Sequence, residues 1–220
     1  AFGLVPTPYV SSVWSSIASW GLEQIGDYGA FWYQAALAGS YYAPAFDSPD
    51  DGTALLTALT KCDMDSWCSG LTEDNLTMTR ESWHAGTYSH EWGTSPIVGV
   101  AWGLMGVQQT SPGWESFRVR PKLGDLGHAS IAIPTIRGFV NVSASRGQLS
   151  VHVPCNSAAQ LCLPRSAADR ALLTPRTTRL LLDGVEVPAV ASGGHLCASR
   201  SLGCGEADAP RHLSAQPRAE

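Results

Sequence analysis

Residues 94–120 read TSPIVGVAWGLMGVQQTSPGWESFRVR and mark the point where the chain changes character. The opening TSP is a helix start signal, because a hydroxyl residue can cap a helix and proline fits its first turn. We predict a helix over about 97–107 that is apolar on nearly all sides and must be buried on most of them. Three glycines on this helix predict close approach by neighbouring helices: Gly99, Gly103 and Gly106.

Composition and charge shift together near residue 114. All eight tryptophans lie at or before Trp114, and residues 1–114 hold eleven acidic residues against two basic ones. Residues 115–220 hold twelve basic and eight acidic residues. One uniform domain does not often separate both properties in this way. We therefore predict two units, a helical one over 1–110 and a β-rich one over 111–198.

Capping signals and apolar spacing predict further helices in the first unit. One begins at TP, residues 7–8, and continues at near-helical apolar spacing until glycines end it at Gly26. Others are predicted over 30–37 and from the capping sequence at 48–51 through Leu59. Four helices with one fully apolar member do not close a comfortable bundle. The pattern thus indicates a fold that needs further helices on the N-terminal side.

Short runs with partial alternation predict an antiparallel β-sandwich in the second unit, since turn residues separate them at roughly ten-residue intervals. The expected strands cover 116–120, 130–133, 139–144, 149–153, 159–163 and 179–182. Residues 199–220 are rich in Ala, Arg, Pro, Ser and Gly and have no periodicity. We predict that this tail is disordered.

The six cysteines fall into three pairs that are close in sequence. Their spacings are wider than those of common zinc sites, so local disulfides are the simpler interpretation and free buried thiols the alternative. Two glycosylation sequons begin at Asn75 and Asn141, and together with the paired cysteines they predict a secreted or secretory-pathway protein. The expected disulfides are Cys62–Cys68, Cys155–Cys162 and Cys197–Cys204.

Acids, histidines and aromatic residues concentrate in residues 77–94, TMTRESWHAGTYSHEWGT. Aromatic rings can stack on the apolar face of a sugar beside a carboxylate, so this pattern favours a glycosidase site around Glu81. Glycoside cleavage requires two carboxyl groups, about 6.5–9.5 Å apart in an inverting enzyme. A surface loop with scattered polar groups is the alternative, although Trp83 and Trp92 are costly to expose.

Other chemistries are weaker interpretations of the sequence. His84 and His90 with Glu81 or Glu91 could chelate a metal ion, but their spacing matches no coordination motif, so we predict no metal site. The sequence has no nucleophile elbow and no glycine-rich phosphate loop. It has no basic patch with interleaved aromatics, which disfavours nucleic acid. It also lacks the run of about 20 apolar residues that a membrane-spanning helix needs.

The order and spacing of several motifs resemble the C-terminal end of bacterial-type α-L-rhamnosidases over about residues 1–195. The resemblance implies an α+β multidomain fold, in which the last helices of an (α/α)6 six-hairpin barrel precede a small antiparallel β-sandwich. It implies removal of terminal α-L-rhamnose from a glycan or glycoside, with inversion and without a cofactor. The motifs are TRESW at 79–83, YSHEWGTSP at 88–96, PGWESF at 112–117, RP at 120–121 and IPTIRG at 133–138, followed by strand-like runs at 149–164 and 181–184.

The same resemblance assigns roles to individual residues. Glu81 matches the general base that activates water, and His90 matches a histidine that contacts the bound sugar. Trp83 and Trp92 would line the pocket. Arg80 stands where relatives often carry an aromatic residue, and its charge could lower the pKa of Glu81 or mark a changed substrate. The general acid of the family lies far upstream, so the resemblance implies an incomplete fragment that lacks the N-terminal barrel portion and is inactive alone.

Three other functions stay open at this point. A six-hairpin glycosidase with another substrate would be recognised by comparing hydrolysis of rhamnosides, fucosides and glucosides. A non-catalytic carbohydrate-binding protein derived from such an enzyme would bind sugar without turnover. In an unrelated structural domain, Trp83 and Trp92 would be plain core residues, and added sugar would not change their fluorescence.

Overall fold

The computed structural model describes residues 5–39, 51–84, 86–164, 178–192, 194–199, 201–205 and 209–217. The chain divides into two compact units, Ala1–Leu104 and Met105–Glu220. This boundary lies before the one expected at residue 110, because Val107–Gln109 forms a strand that pairs within the second unit. We call the two parts the helical unit and the β unit.

The described part of the helical unit is built from short helices joined by loops. A 3-10 turn, Thr7–Tyr9, precedes the first helix, as the TP signal predicts. Gly26, where we expected a helix to end, is a non-helical residue with a φ of 71°, after which the helix resumes. Gly39 ends that helix in the left-handed conformation. The helices are α1 (Val10–Ala18), α2 (Leu22–Ala38), α3 (Thr53–Thr60), α4 (Trp67–Thr72) and α5 (Pro96–Val98).

The capping sequence expected at 48–51 lies mostly outside the described residues. Asp51 is described, and its carboxylate accepts hydrogen bonds from the backbone N–H and the hydroxyl of Thr53, at 3.2 and 2.6 Å. This contact satisfies a donor at the start of α3, although the N-cap residue of the helix is Gly52 and not Asp51.

The apolar helix expected over 97–107 is shorter and less regular than predicted. α5 continues into a π-helical turn, Gly99–Leu104, and the chain then becomes extended. At Gly106 φ is +62°, and its carbonyl accepts the N–H of Arg120 at 3.0 Å. A Cβ at this glycine would overlap the Arg120 backbone. Strand pairing therefore replaces the last turn of the expected helix.

The core of the helical unit joins α2, α3 and the π-helical turn through Leu22, Leu37, Leu55 and Leu104, all nearly inaccessible to solvent. Gly99 and Gly103 lie where a Cβ would overlap the side chains of Gln34 on α2 and Leu55 on α3, respectively. The predicted close approach is confirmed at these two glycines. The expectation of burial on most sides does not extend to Ile97, which is 69% exposed.

The β unit contains two sheets among its described residues. The five-stranded sheet has the order β1-β2-β6-β10-β9, and the six-stranded sheet has the order β3-β4-β5-β11-β7-β8. Their strands are β1 (Val107–Gln109), β2 (Ser116–Val119), β3 (His128–Thr135), β4 (Gly138–Ser145), β5 (Gln148–His152), β6 (Ala158–Pro164), β7 (Thr178–Leu182), β8 (Val185–Val187), β9 (Ala189–Ser192), β10 (His195–Ala198) and β11 (Arg211–Pro217).

Contacts of β6 with β5 and β11 bring the two sheets together. Buried side chains alternate along the strands, for example Leu149 and Val151 on β5 and Ala159 and Leu161 on β6. A helical unit is thus followed by a two-sheet β unit, and each of the six expected strands is present. The turns at Gly147 and at Asp183-Gly184 have positive φ values, as tight hairpins require.

Two expectations for the β unit are wrong. The sheets are not entirely antiparallel, because β2 and β6 pair in parallel. Three strands of the other sheet, β3 to β5, connect them, and such a long connection permits parallel pairing. The described part of the tail is also ordered. β11 pairs with both β5 and β7. Backbone hydrogen bonds and one buried side chain, Leu213, stabilise this strand although its sequence is only modestly hydrophobic.

The structure confirms one expected disulfide, Cys62–Cys68. The pairings expected from proximity in the β unit are wrong, because the observed bonds are Cys155–Cys204 and Cys162–Cys197. Cys162 and Cys197 face each other across the β6–β10 ladder, with Cα atoms 3.9 Å apart. Strand register, not distance along the chain, decides this pairing.

A bilayer crossing requires a long apolar helix, and none of the helices described here meets that requirement.

Candidate active site

Within the 77–94 segment, residues 79–89 form a narrow hairpin and Glu91–Thr94 forms a 3-10 turn. Arg80 and Tyr88 form an isolated antiparallel bridge. Next to it, the N–H of Ser89 donates to the carbonyl of Thr79 at 2.7 Å, and the N–H of Glu81 donates to the carbonyl of Thr87 at 2.9 Å. These bonds hold Glu81 at the base of a tight loop, so that the position of its carboxylate is set by backbone pairing.

The carboxylate of Glu81 is held by the opposite side of this loop. Oε2 accepts the backbone N–H of Thr87 at 2.7 Å and the Thr87 hydroxyl at 3.2 Å. Gly86, with a φ of +97°, lies directly against Glu81, where a Cβ would collide with the glutamate side chain. A glycine is needed at this position because the loop both turns to positive φ and passes close to the carboxylate.

His90 completes the surroundings of Glu81. Its Nε2 lies 3.7 Å from Glu81 Oε2 and 2.5 Å from the Thr87 hydroxyl oxygen. Hydrogen bonds from the Thr87 backbone and hydroxyl, followed by the charge of His90, lower the pKa of the Glu81 carboxyl. The side chain of Glu81 is 41% exposed. Glu81 is therefore an accessible carboxylate that is ionised at neutral pH.

Trp92 packs beside this pair. Its indole N–H donates to the carbonyl of Glu81 at 2.8 Å, and its ring centroid lies 4.3 Å from that of His90. Tyr28 of α2 makes an edge contact with the same indole at 5.4 Å. The structure therefore brings together three residues predicted from the sequence: Glu81, His90 and Trp92.

Trp83 is placed differently from these three. It is 6% exposed, belongs to the core of the helical unit, and donates its indole N–H to the carbonyl of Leu22 at 3.1 Å. Trp67 meets it edge to face with ring centroids 5.1 Å apart. Trp83 thus anchors the loop to the helices, and its role in lining a sugar pocket remains a prediction.

Arg80 does not act on Glu81 in the way that its neighbouring position suggests. Its guanidinium forms an ion pair with Asp74 and donates to the carbonyl of Trp83 at 2.8 Å. The lowered pKa of Glu81 is caused by Thr87 and His90 instead. His84, the other histidine of the segment, pairs with Asp65 at 2.6 Å.

The structure adds a carboxyl that the sequence analysis did not single out. Asp27 on α2 is only 2% exposed, and its Oδ1 has no hydrogen-bond partner in the described part of the chain. Burial raises the pKa of Asp27 to about 6, while the charges of Arg80 and His90 act in the opposite direction. A single aspartate in a helix resembles a solvated residue, so only its position immediately after Gly26, a helix break, could have drawn attention to it.

The described residues contain no group of three His, Cys, Asp or Glu side chains that could hold a metal ion. The chemistry that this arrangement can support is acid–base chemistry by carboxylates. Glu81, an ionised carboxylate beside a histidine and an indole, can accept a proton from a water molecule placed next to it.

The chain is similar to known α-L-rhamnosidases. Residues 106–175 match the family described as the bacterial α-L-rhamnosidase C-terminal domain. No curated protein matches the chain. The fold resembles the solved α-L-rhamnosidase of Dictyoglumus thermophilum, with a TM-score of 0.57 and 17% identity over 74% of this chain and 19% of that one.

Two further structures show the same likeness. The Streptomyces avermitilis α-L-rhamnosidase complexed with L-rhamnose gives a TM-score of 0.59 and 15% identity over 86% of this chain and 17% of that one. The native α-L-rhamnosidase of Aspergillus terreus gives a TM-score of 0.50 and 20% identity over 63% of this chain and 17% of that one. The match to the Streptomyces enzyme covers 86% of this chain, which is more than residues 105–220 contain. It therefore includes part of the helical unit. The resemblance to α-L-rhamnosidases is confirmed, and the chain spans under a fifth of the length of these structures.

Proposed function

We propose that this chain is the C-terminal part of an inverting α-L-rhamnosidase, in which Glu81 is the general base that activates water. The observation that carries the proposal is the hydrogen-bonded Glu81–Thr87–His90 cluster, which keeps an accessible carboxylate ionised at neutral pH. An inverting glycosidase needs such a base on one face of the sugar, together with space for the attacking water.

The neighbours of Glu81 suit a sugar ligand. The imidazole of His90 can exchange hydrogen bonds with a hydroxyl, and its partner, the Thr87 hydroxyl, orients it. Trp92 is partly exposed beside both residues and offers the apolar surface on which a pyranose face stacks. We assign to His90 and Trp92 the contacts with the bound rhamnose, and we keep Trp83 behind them as the support of the loop.

We further propose that the helical unit is the end of an (α/α)6 barrel and that the general acid comes from another part of that barrel. α-L-Rhamnoside hydrolysis would then require the longer polypeptide, and this chain alone would bind sugar without turnover. Its three disulfides and the sequons at Asn75 and Asn141 support a secreted or secretory-pathway protein.

The test is a hydrolysis assay on the longest natural polypeptide that contains this sequence. We expect release of the aryl group from an aryl α-L-rhamnoside, and NMR of the first product should show the β-anomer that inversion produces. Aryl α-L-fucosides and aryl β-D-glucosides serve as controls. Preferred hydrolysis of either control would assign another substrate, and sugar binding without hydrolysis would make the protein a lectin-like derivative.

A further inference from the structure

The helical unit contains a cavity lined in part by Asp27, which we call the Asp27 cavity. Its volume is about 370 Å³, within the range of small-molecule sites. Trp67, Trp83 and Met78 contribute to a mostly apolar lining, and Asp27 is the carboxyl among them. Glu81, His90 and Trp92 are all outside this lining, although their chain neighbours Arg80 and Gly93 belong to it.

The carboxyl of Asp27 is unusual because it is buried without a hydrogen bond to Oδ1. Nearly all buried polar atoms in proteins have a partner, and each exception needs an explanation. The backbone of Gly93 passes close to the other oxygen, since a Cβ there would lie 3.3 Å from Asp27 Oδ2. Because Asp27 lines the cavity, a small movement of its side chain would present this unpartnered acceptor to a donor on a ligand.

The tryptophans of the cavity offer carbon surface and little else. Trp67 already donates its indole N–H to the carbonyl of Gly93 at 2.9 Å, and Trp83 donates to Leu22 at 3.1 Å. Neither ring has a polar hydrogen left for a ligand. The cavity therefore suits an apolar body that presents its one hydrogen-bond donor to Asp27.

The charges around Asp27 decide the nature of that donor. The guanidinium of Arg80 acts electrostatically on Asp27 and also lines the cavity. The positive charge of an ammonium ligand would be added to that of Arg80. A neutral hydroxyl donates to the same oxygen without this repulsion.

We propose that the Asp27 cavity binds a small neutral molecule made of an apolar ring with a hydroxyl group, which donates its hydrogen bond to Asp27. The ring lies against Trp67, Trp83 and Met78. Because Glu81 is not part of the cavity, this site does not depend on the proposed hydrolysis.

The experiment titrates the whole chain with phenol, toluene and benzylamine and follows binding by ligand-observed NMR. We expect saturable binding of phenol, about tenfold or more tighter than that of toluene, as a hydrogen bond to a charged acceptor predicts. Benzylamine should bind more weakly than phenol. Equal affinities for phenol and toluene, or a preference for benzylamine, would overturn the proposal without any variant being made.

Two variants locate the binding. Asp27→Ala should reduce the preference for phenol over toluene to near unity, and Asp27→Asn, which keeps the shape of the side chain, should reduce it partly. Asp65→Asn is the matched control, because Asp65 pairs with His84 and lies outside the cavity lining. Glu81→Gln should also bind phenol normally. A preference that survives in folded Asp27→Ala would place the hydroxyl elsewhere and refute the assignment.

Discussion

The two units of this chain bury their side chains by different means. In the β unit the pattern is local and repeated, as in β4, where Val140, Val142 and Ala144 point inward at every second position. In the helical unit the decisive contacts join distant segments. The indole of Trp83 bonds to Leu22, 61 residues away in sequence, and the amide of Gln34 bonds to the hydroxyl of Ser95 over the same separation.

This difference in construction accompanies a difference in chemistry. The helical unit holds two carboxyls whose pKa values are shifted in opposite directions, Glu81 downward by hydrogen bonds and Asp27 upward by burial. Shifted pKa values of this kind cluster at functional sites. We therefore expect substitutions in the loop and α2 to change chemistry or binding, and substitutions in the β ladders to change stability.

The largest expected effect, and the strongest test of this difference between the two units, is that of Glu81→Gln in the longest polypeptide that contains the chain. Removing a general base typically lowers the rate by about 10²–10⁴-fold. We expect such a loss of kcat/KM on an aryl α-L-rhamnoside, because glutamine cannot take a proton from water. The measurement is steady-state hydrolysis with the circular dichroism spectrum as a check on folding.

Glu91→Gln is the matched control, since Glu91 is an exposed carboxylate of the same segment. It should keep near-normal activity. Near-normal activity in Glu81→Gln would remove Glu81 from the mechanism and would leave the helical unit without its proposed base.

A second prediction concerns the β unit and the strand that the sequence did not reveal. Leu213→Ala removes a side chain that is 1% exposed in the middle of β11. Large-to-small substitutions in a core cost about 2–5 kcal/mol. We expect a loss of this size in the free energy of unfolding, measured by urea denaturation with far-UV circular dichroism.

Val185→Ala is the control in the same sheet, because Val185 is 68% exposed. It should change stability by less than about 0.5 kcal/mol. If Leu213→Ala were as mild as this control, β11 would contribute little, and residues 211–217 would behave as the disordered tail that composition suggested.

The strands of the β unit could be predicted because they depend on local alternation and turn residues. All six expected strands are present, from β2 to β7. β11 was missed because its sequence, RHLSAQP, carries one buried leucine and gains its stability from ladders on both sides. The Cys162–Cys197 bond was missed for a related reason, since it depends on the register between β6 and β10.

The candidate site was predicted less completely. The motif predicted that Glu81, His90 and Trp92 matter, and the hairpin brings them together. It could not show that Thr87 holds the carboxylate, because that contact depends on the turn at Gly86. The buried position of Asp27 could not be predicted, because the segments that bury it and raise its pKa are far from it in sequence.

Asp27 gives a prediction about pH. Its pKa is raised from an ordinary 3.8 to about 6 in the folded chain. As pH rises from about 4 to about 6, the unfolded state loses this proton first, so the folded state loses stability through that window. Above about pH 6 the loss in the free energy of unfolding stays constant, at most about 3 kcal/mol for a pKa raised by roughly two units.

Asp27→Asn removes this charge and should be more stable than the wild type above pH 6, by about 1–3 kcal/mol, with the difference vanishing near pH 4. Tryptophan fluorescence during urea denaturation reports mainly the helical unit, which holds every tryptophan except Trp114. Asp65→Asn should show no such gain. A gain that is equal at both pH values would mean that charge burial is not its cause.

The smallest expected effect concerns the ionisation of Glu81, the proposed base. Thr87→Val removes the hydroxyl that binds both Glu81 and His90 but keeps the backbone N–H that donates to the same carboxylate. Loss of one stabilising donor should raise the pKa of Glu81, so the acidic limb of the kcat/KM profile should move to higher pH. We expect the rate at the optimum to fall by only about two- to tenfold. Glu81→Gln removes the proposed base, whereas Thr87→Val removes only one hydrogen bond to it. A pH profile that falls in height without moving along the pH axis would show that Thr87 positions the loop and does not set the ionisation of Glu81.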